Sequence, residues 1–121
     1  YTHGGAYVLN SAKAVIESAM FFAAETGLRV IAVDYTLAPH SKWQETTNEV
    51  ISVFKALADQ GYTTDDIVLY GDSAGGGLAA GVTIKMRDLG MKMPAALVLW
   101  SPWEYISETG DTFVTLRDAE P

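Results

Sequence analysis

Apolar and polar positions along this chain predict helices and strands in alternation. Ala12, Val15, Ile16, Ala19, Met20 and Ala23 recur at three- and four-residue spacings, which places them on one face of a helix over residues 12–26. Gly27 is positioned to stop that helix. Residues 30–33 are continuously apolar, the pattern of a strand buried on both faces. A second amphipathic helix spans residues 44–60, turning Val50, Val53, Phe54 and Leu57 toward the sheet, and Gly61 ends it. Residues 67–70 read as the next strand, residues 74–89 as a third helix and residues 95–100 as a further buried strand, with Gly90 and Pro94 between the last two. Tyr1 and Thr2 form a strand stub before a glycine turn. Residues 35–43, and the polar stretch beyond Ser101-Pro102-Trp103, read as loop.

Strands alternating with helices argue for an α/β fold, a mostly parallel sheet with helices on both faces and right-handed crossovers. In such a sheet ligands sit beyond the C-terminal ends of the strands. His3, Asp34, Ser73 and Ser101 all fall at those ends, so they are expected to cluster.

Composition narrows the chemistry. The 121 residues suffice for one ordinary domain, and 49% hydrophobic with 19% charged is a globular balance. Without cysteine there is no disulfide or thiolate chemistry. A net charge of −7 without a basic cluster argues against nucleic acid as a partner. No apolar run reaches membrane-spanning length. Two histidines without clustered carboxylates give no metal site, and no Gly-Lys-Ser/Thr phosphate loop occurs, so no cofactor or metal is expected.

The chemistry-bearing segment is Gly71-Asp72-Ser73-Ala74-Gly75, lying between a predicted strand and a predicted helix. A strand that turns sharply into a helix leaves a serine Oγ exposed at the sheet edge, which is what a nucleophile needs. Gly71 and Gly75 remove a Cβ where neighbouring chain would clash. The Ala74 N–H, at the helix start, can face a developing oxyanion. Without that role, Ser73 would be a helix cap. His3-Gly4-Gly5-Ala6, following an earlier strand, is the kind of loop that supplies the opposing oxyanion donors. Gly4 and Gly5 N–H are the expected donors, with His3 bracing the loop.

Other polar residues read as structural. Asp72, adjacent to the serine, is expected to point elsewhere and to take a structural hydrogen-bonding role. Asp34 reads as a loop-fixing carboxylate and His40 as a solvent-facing side chain. Gly75-Gly76-Gly77-Leu78-Ala79-Ala80 also fits the dinucleotide fingerprint. Its first glycine should make the strand-to-helix turn, however, and here Gly71 does so. Trp100-Ser101 also stands where an acidic residue should end the next strand.

Four ordered segments carry a family resemblance: His3-Gly4-Gly5-Ala6, Asp34-Tyr35-Thr36-Leu37-Ala38-Pro39, Gly71-Asp72-Ser73-Ala74-Gly75-Gly76 and Ser101-Pro102-Trp103. Together they resemble the hormone-sensitive-lipase-like branch of the α/β-hydrolase fold. The resemblance implies a serine carboxylic-ester hydrolase for short- to medium-chain esters or lactones. It implies acylation at Ser73 and an oxyanion hole from Gly4, Gly5 and Ala74. The sequence departs from the family at Thr36, where Arg is common, at His40, where Glu is common, and at Glu104-Tyr105, where the acidic residue stands one place early.

The triad order for this fold is Ser, Asp/Glu, His, yet no histidine follows Ser73. Residues 1–121 are therefore expected to be the central part of one α/β-hydrolase domain. The earlier strands, the cap and the triad Asp/His region would lie outside it. By itself this part is expected to be inactive and either unstable, homo-oligomeric through exposed edges, or completed by further segments. A hydrolase-like binding protein lacking the triad histidine and, more remotely, a dinucleotide-binding domain are the alternatives. The expected partner is a small-molecule ester, and the expected location is cytoplasmic.

Overall fold

The computed structural model describes residues 1–105 together with Ser107 and Thr115. The order is helix α1 (Ile16–Thr26), helix α2 (Trp43–Asp59), a 3-10 turn (Thr64–Asp66), strand β1 (Val68–Asp72), helix α3 (Ser73–Asp88) and strand β2 (Ala96–Trp100). Strands β1 and β2 pair in parallel, with Tyr70 opposite Val98 and Asp72 opposite Trp100. Thr2 bridges in parallel to Val33 on one side and to Gly71 on the other. The ribbon order is therefore residues 30–33, the Tyr1-Thr2 stub, β1, β2, which puts the stub between two neighbours. Tyr1 N donates to Ile31 O at 2.8 Å, Val33 N to Tyr1 O at 2.9 Å and Thr2 N to Tyr70 O at 3.0 Å.

Helices cover both faces, and alternation along β1 shows how. Leu69 points to one side, into a core with Val50, Ile51 and Phe54 of α2 and Leu78, Val82 and Met86 of α3. Tyr70 points to the other, against Tyr1 and Ala19 of α1. Burying each large apolar side chain in the first cluster contributes about 1.5–3 kcal/mol, so that cluster dominates cohesion. Helix α2 begins where Glu45 reaches back to accept the Lys42 N–H at 3.1 Å. Helix α1 stops at Gly27, whose φ of 69° places it in the left-handed region while its N–H bonds Ala23 O.

Three expectations need correction. Helix α1 starts at Ile16 rather than residue 12, because the preceding N–H groups are taken up otherwise: Ala12 N by Asp34 Oδ1 at 2.8 Å and Ala14 N by Ser11 Oγ at 3.1 Å. Of its predicted inner face, Ala19 is buried but Ile16 and Met20 are exposed. Residues 30–33 are half-buried and bridge only at Val33. Strand β2 is also not buried, with Leu97, Val98 and Trp100 exposed. Among the described residues it pairs only with β1, and α3 covers one of its faces. The stretch at 101–105 is irregular as expected, and the loop expectation beyond it lies outside the described residues apart from Ser107 and Thr115. No helix among the described residues is long and apolar enough to cross a membrane.

Candidate active site

Ser73 is the first residue of α3, immediately after β1, and its side chain is exposed. Its φ is +50°, a conformation that costs a non-glycine residue energy and that a sharp strand-to-helix elbow imposes. The flanking glycines explain how the turn is built. A Cβ on Gly71 would overlap the Gly75 carbonyl, and one on Gly75 would overlap the Thr2 carbonyl. Thr2 Oγ1 donates to Gly75 O at 2.7 Å, so the stub and the elbow are bonded as well as packed. Across the turn Trp103 N donates to Ser73 O at 2.8 Å.

The remaining glycines of α3 serve the same crowding. Gly76 abuts Pro102, and the space of a Gly77 side chain is filled by the Trp103 carbonyl. The run that matches a dinucleotide fingerprint is covered by the chain's own backbone, which leaves a pyrophosphate no approach there.

Ala74 is fully buried at the second position of α3. N–H groups in the first turn of a helix lack intrahelical acceptors, so Ala74 N–H is available at the positive end of the helix dipole. Facing the elbow, the loop after Thr2 is held by several bonds. His3 is 1% exposed, its ring stacked on Tyr35 with centroids 4.4 Å apart. Its Nδ1 donates to Gly4 O at 2.8 Å, the tautomer a carbonyl partner demands, and Nε2 is buried without a partner among the described residues. Asn10 Nδ2 donates to the same oxygen at 3.2 Å. His3 thus ties the Gly4 carbonyl to the ring stacked on Tyr35.

Gly4 needs a correction as an oxyanion donor. Its N–H is committed to Asp72 Oδ1 at 3.0 Å. The N–H groups of Gly5 and Ala6 have no acceptor among the described residues. Gly5, with φ +122°, and Ala6, with φ +52°, lie in the left-handed region, so the loop turns sharply there.

Asp72 also accepts the Tyr1 hydroxyl on Oδ1 at 2.7 Å. Burial first, then the bonded and charged Asp72, pushes the Tyr1 phenol well above its ordinary range. Tyr70, stacked on Tyr1 at 4.5 Å, is pushed up to about 12 by burial and by Asp72. Beside Ser73 opens a cleft of about 540 Å³, walled by Phe21, Phe22, Tyr70 and Trp100, with Ser101 at its rim. Asp34 fixes the start of the α1 segment and His40 is exposed, both as expected. Sequence reasoning missed Tyr1, Tyr35 and the Trp103 N–H.

A family model described as the alpha/beta hydrolase fold matches residues 1–119. LipR of Mycobacterium tuberculosis is 42% identical over 103 residues, covering 85% of this chain and 33% of that protein. An esterase of Acinetobacter venetianus is 33% identical over 112 residues, covering 93% of this chain and 37% of its own length. A crystal structure of an esterase from the bacterial hormone-sensitive lipase family superposes with a TM-score of 0.91 at 36% identity, covering all of this chain and 41% of that one. The chain thus spans about two fifths or less of the length of these relatives.

Proposed function

Since the chain belongs to the α/β-hydrolase fold family, in its hormone-sensitive-lipase-like branch, we propose that it carries the nucleophilic half of a serine carboxylesterase acting through an acyl-enzyme on Ser73. One observation carries this reading: Ser73 is exposed at the head of α3 in a strained φ of +50° that only its elbow requires. A helix cap needs no such strain.

In the proposed reaction Ser73 Oγ attacks the ester carbonyl carbon and its proton passes to a general base. The carbonyl oxygen takes the electron pair and is held by the N–H groups of Ala74 and Gly5, each typically worth about 3–4 kcal/mol of barrier. The tetrahedral centre collapses, the alcohol leaves with the proton, and water repeats the sequence to release the acid.

The base is proposed to come from outside these 121 residues. His3 Nδ1 is bonded to Gly4 O with its ring stacked on Tyr35, and His40 is exposed on a loop. On this reading the chain is the central part of one catalytic domain and is inactive by itself. The substrates are esters of short to medium acyl chain. Labelling by a fluorophosphonate tests it. The intact enzyme should be labelled at Ser73 and the Ser73→Ala variant should not. Labelling that persists in Ser73→Ala would overturn the reading. An intact protein that remains unlabelled and inactive would favour a hydrolase-like binding protein instead.

A further inference from the structure

We propose that Asp72 is a positioning residue for the oxyanion loop, its carboxylate held in place by the Tyr1 hydroxyl. The inference rests on Ser73 being the nucleophile, and it assigns Asp72 a part in the rate of acylation. Asp72 Oδ1 accepts both the Gly4 N–H at 3.0 Å and the Tyr1 hydroxyl at 2.7 Å. Its Oδ2 sits against the Gly4 Cα so closely that a Cβ there would overlap it. Both oxygens therefore lie against Gly4, one bonded and one packed, from a residue covalently adjacent to the nucleophile.

The following peptide, which joins Gly4 to Gly5, is fixed through its carbonyl. Gly4 O accepts from His3 Nδ1 and from Asn10 Nδ2. With the N–H and the carbonyl of Gly4 both tied, the two peptides flanking Gly4 are fixed, and the second of them carries the Gly5 N–H. The Gly5 and Ala6 N–H groups are left without acceptors among the described residues. Asp72 thereby couples the loop to the elbow, so donors and nucleophile keep one spacing. A misplacement of about 1 Å between catalytic groups costs on the order of a hundredfold in rate. Tyr1 contributes by orienting the carboxylate: its ring is stacked between strands on Tyr70, and its hydroxyl satisfies the second lone pair of Oδ1.

What the proposal requires of residue 72 is an acceptor in this place rather than a negative charge. An asparagine retains a carbonyl oxygen for both donors. The test compares Asp72→Ala, Asp72→Asn, Tyr1→Phe and Ser73→Ala in the intact enzyme. It reads kcat and KM on a short-chain p-nitrophenyl ester, and inhibition by a trifluoromethyl ketone, whose adduct carries an oxyanion. Asp72→Ala should lower kcat about 10- to 100-fold with KM within about twofold, and trifluoromethyl ketone affinity should fall by a similar factor. Asp72→Asn should recover kcat to within about fivefold of the parent, and Tyr1→Phe should lie between the two. Should Asp72→Ala fail to fold, Asp72→Asn and Tyr1→Phe carry the test on the same readouts. An Asp72→Asn variant with kcat and inhibitor affinity as poor as expected of Asp72→Ala would overturn the proposal. So would a Tyr1→Phe variant identical to the parent. A fully active Ser73→Ala variant would instead overturn the underlying nucleophile assignment.

Discussion

Thr2 and Gly75 are joined in two ways at once. The Thr2 hydroxyl donates to the Gly75 carbonyl at 2.7 Å, and the Thr2 carbonyl fills the space a Gly75 side chain would need. The central stub of the sheet and the first turn of α3 are thereby pressed backbone to backbone. Neither partner is a flexible side chain, so nothing nearby can give way cheaply.

Gly75→Ala should therefore destabilise the intact protein by about 1–3 kcal/mol or more, the range of overpacked interiors. Any folded fraction should lose the proposed esterase activity, because relief of the clash must move the elbow. Urea unfolding monitored beside turnover would measure both effects.

Strain at Ser73 predicts an unusual pairing of stability and activity. Ser73→Gly relieves about 1–2 kcal/mol of left-handed backbone strain. Glycine's extra freedom in the unfolded chain takes back about 0.5–1 kcal/mol. The variant should be inactive yet as stable as the parent or slightly more so. Ser73→Ala keeps the strain and should be inactive without that gain. Thermal midpoints of the two variants, measured side by side, decide it.

Alkaline pH should unfold the protein earlier than ordinary phenols would dictate. Burial raises the Tyr1, Tyr35 and Tyr70 phenols in the folded state, Tyr70 to about 12. Their unfolded value is near about 10. A raised folded pKa stabilises fully below the unfolded value and is lost as pH climbs through the folded one. Stability should therefore fall between about pH 10 and 12. Absorbance at the tyrosinate band should show these phenols ionising late, or together with unfolding.

Met86 is fully buried at the centre of the α2–α3 core. Met86→Ala should cost about 2–5 kcal/mol through lost burial and the cavity left behind. Denaturant midpoints of the intact protein would register it, with KM unchanged because Met86 lies near the end of α3 away from Ser73.

Much of the architecture is legible in residue order. Helix α2 is found within one residue of its expected bounds, because Val50, Phe54 and Leu57 at helical spacing have a core to face. Helix α3 and the elbow are equally legible, since Gly71 and Gly75 bracket a turn whose requirements are local. Helix α1 is less so. Its first turn is diverted by Asp34, which lies 22 positions away in sequence. Strand β2 has an apolar pattern that promises burial, but burial depends on what covers it, and that is no property of the strand itself.

The sequence by itself determined the α/β alternation, the family motifs and the strand-to-helix elbow at Ser73, because each rests on contacts a few residues long. Only the tertiary structure decided how the Gly4 N–H is used. Its partner, Asp72, stands 68 positions along the chain, and the two meet because the Tyr1-Thr2 stub enters the sheet between Val33 and Gly71. A hydrogen bond across strands depends on register, and register is set by the packing of the whole sheet.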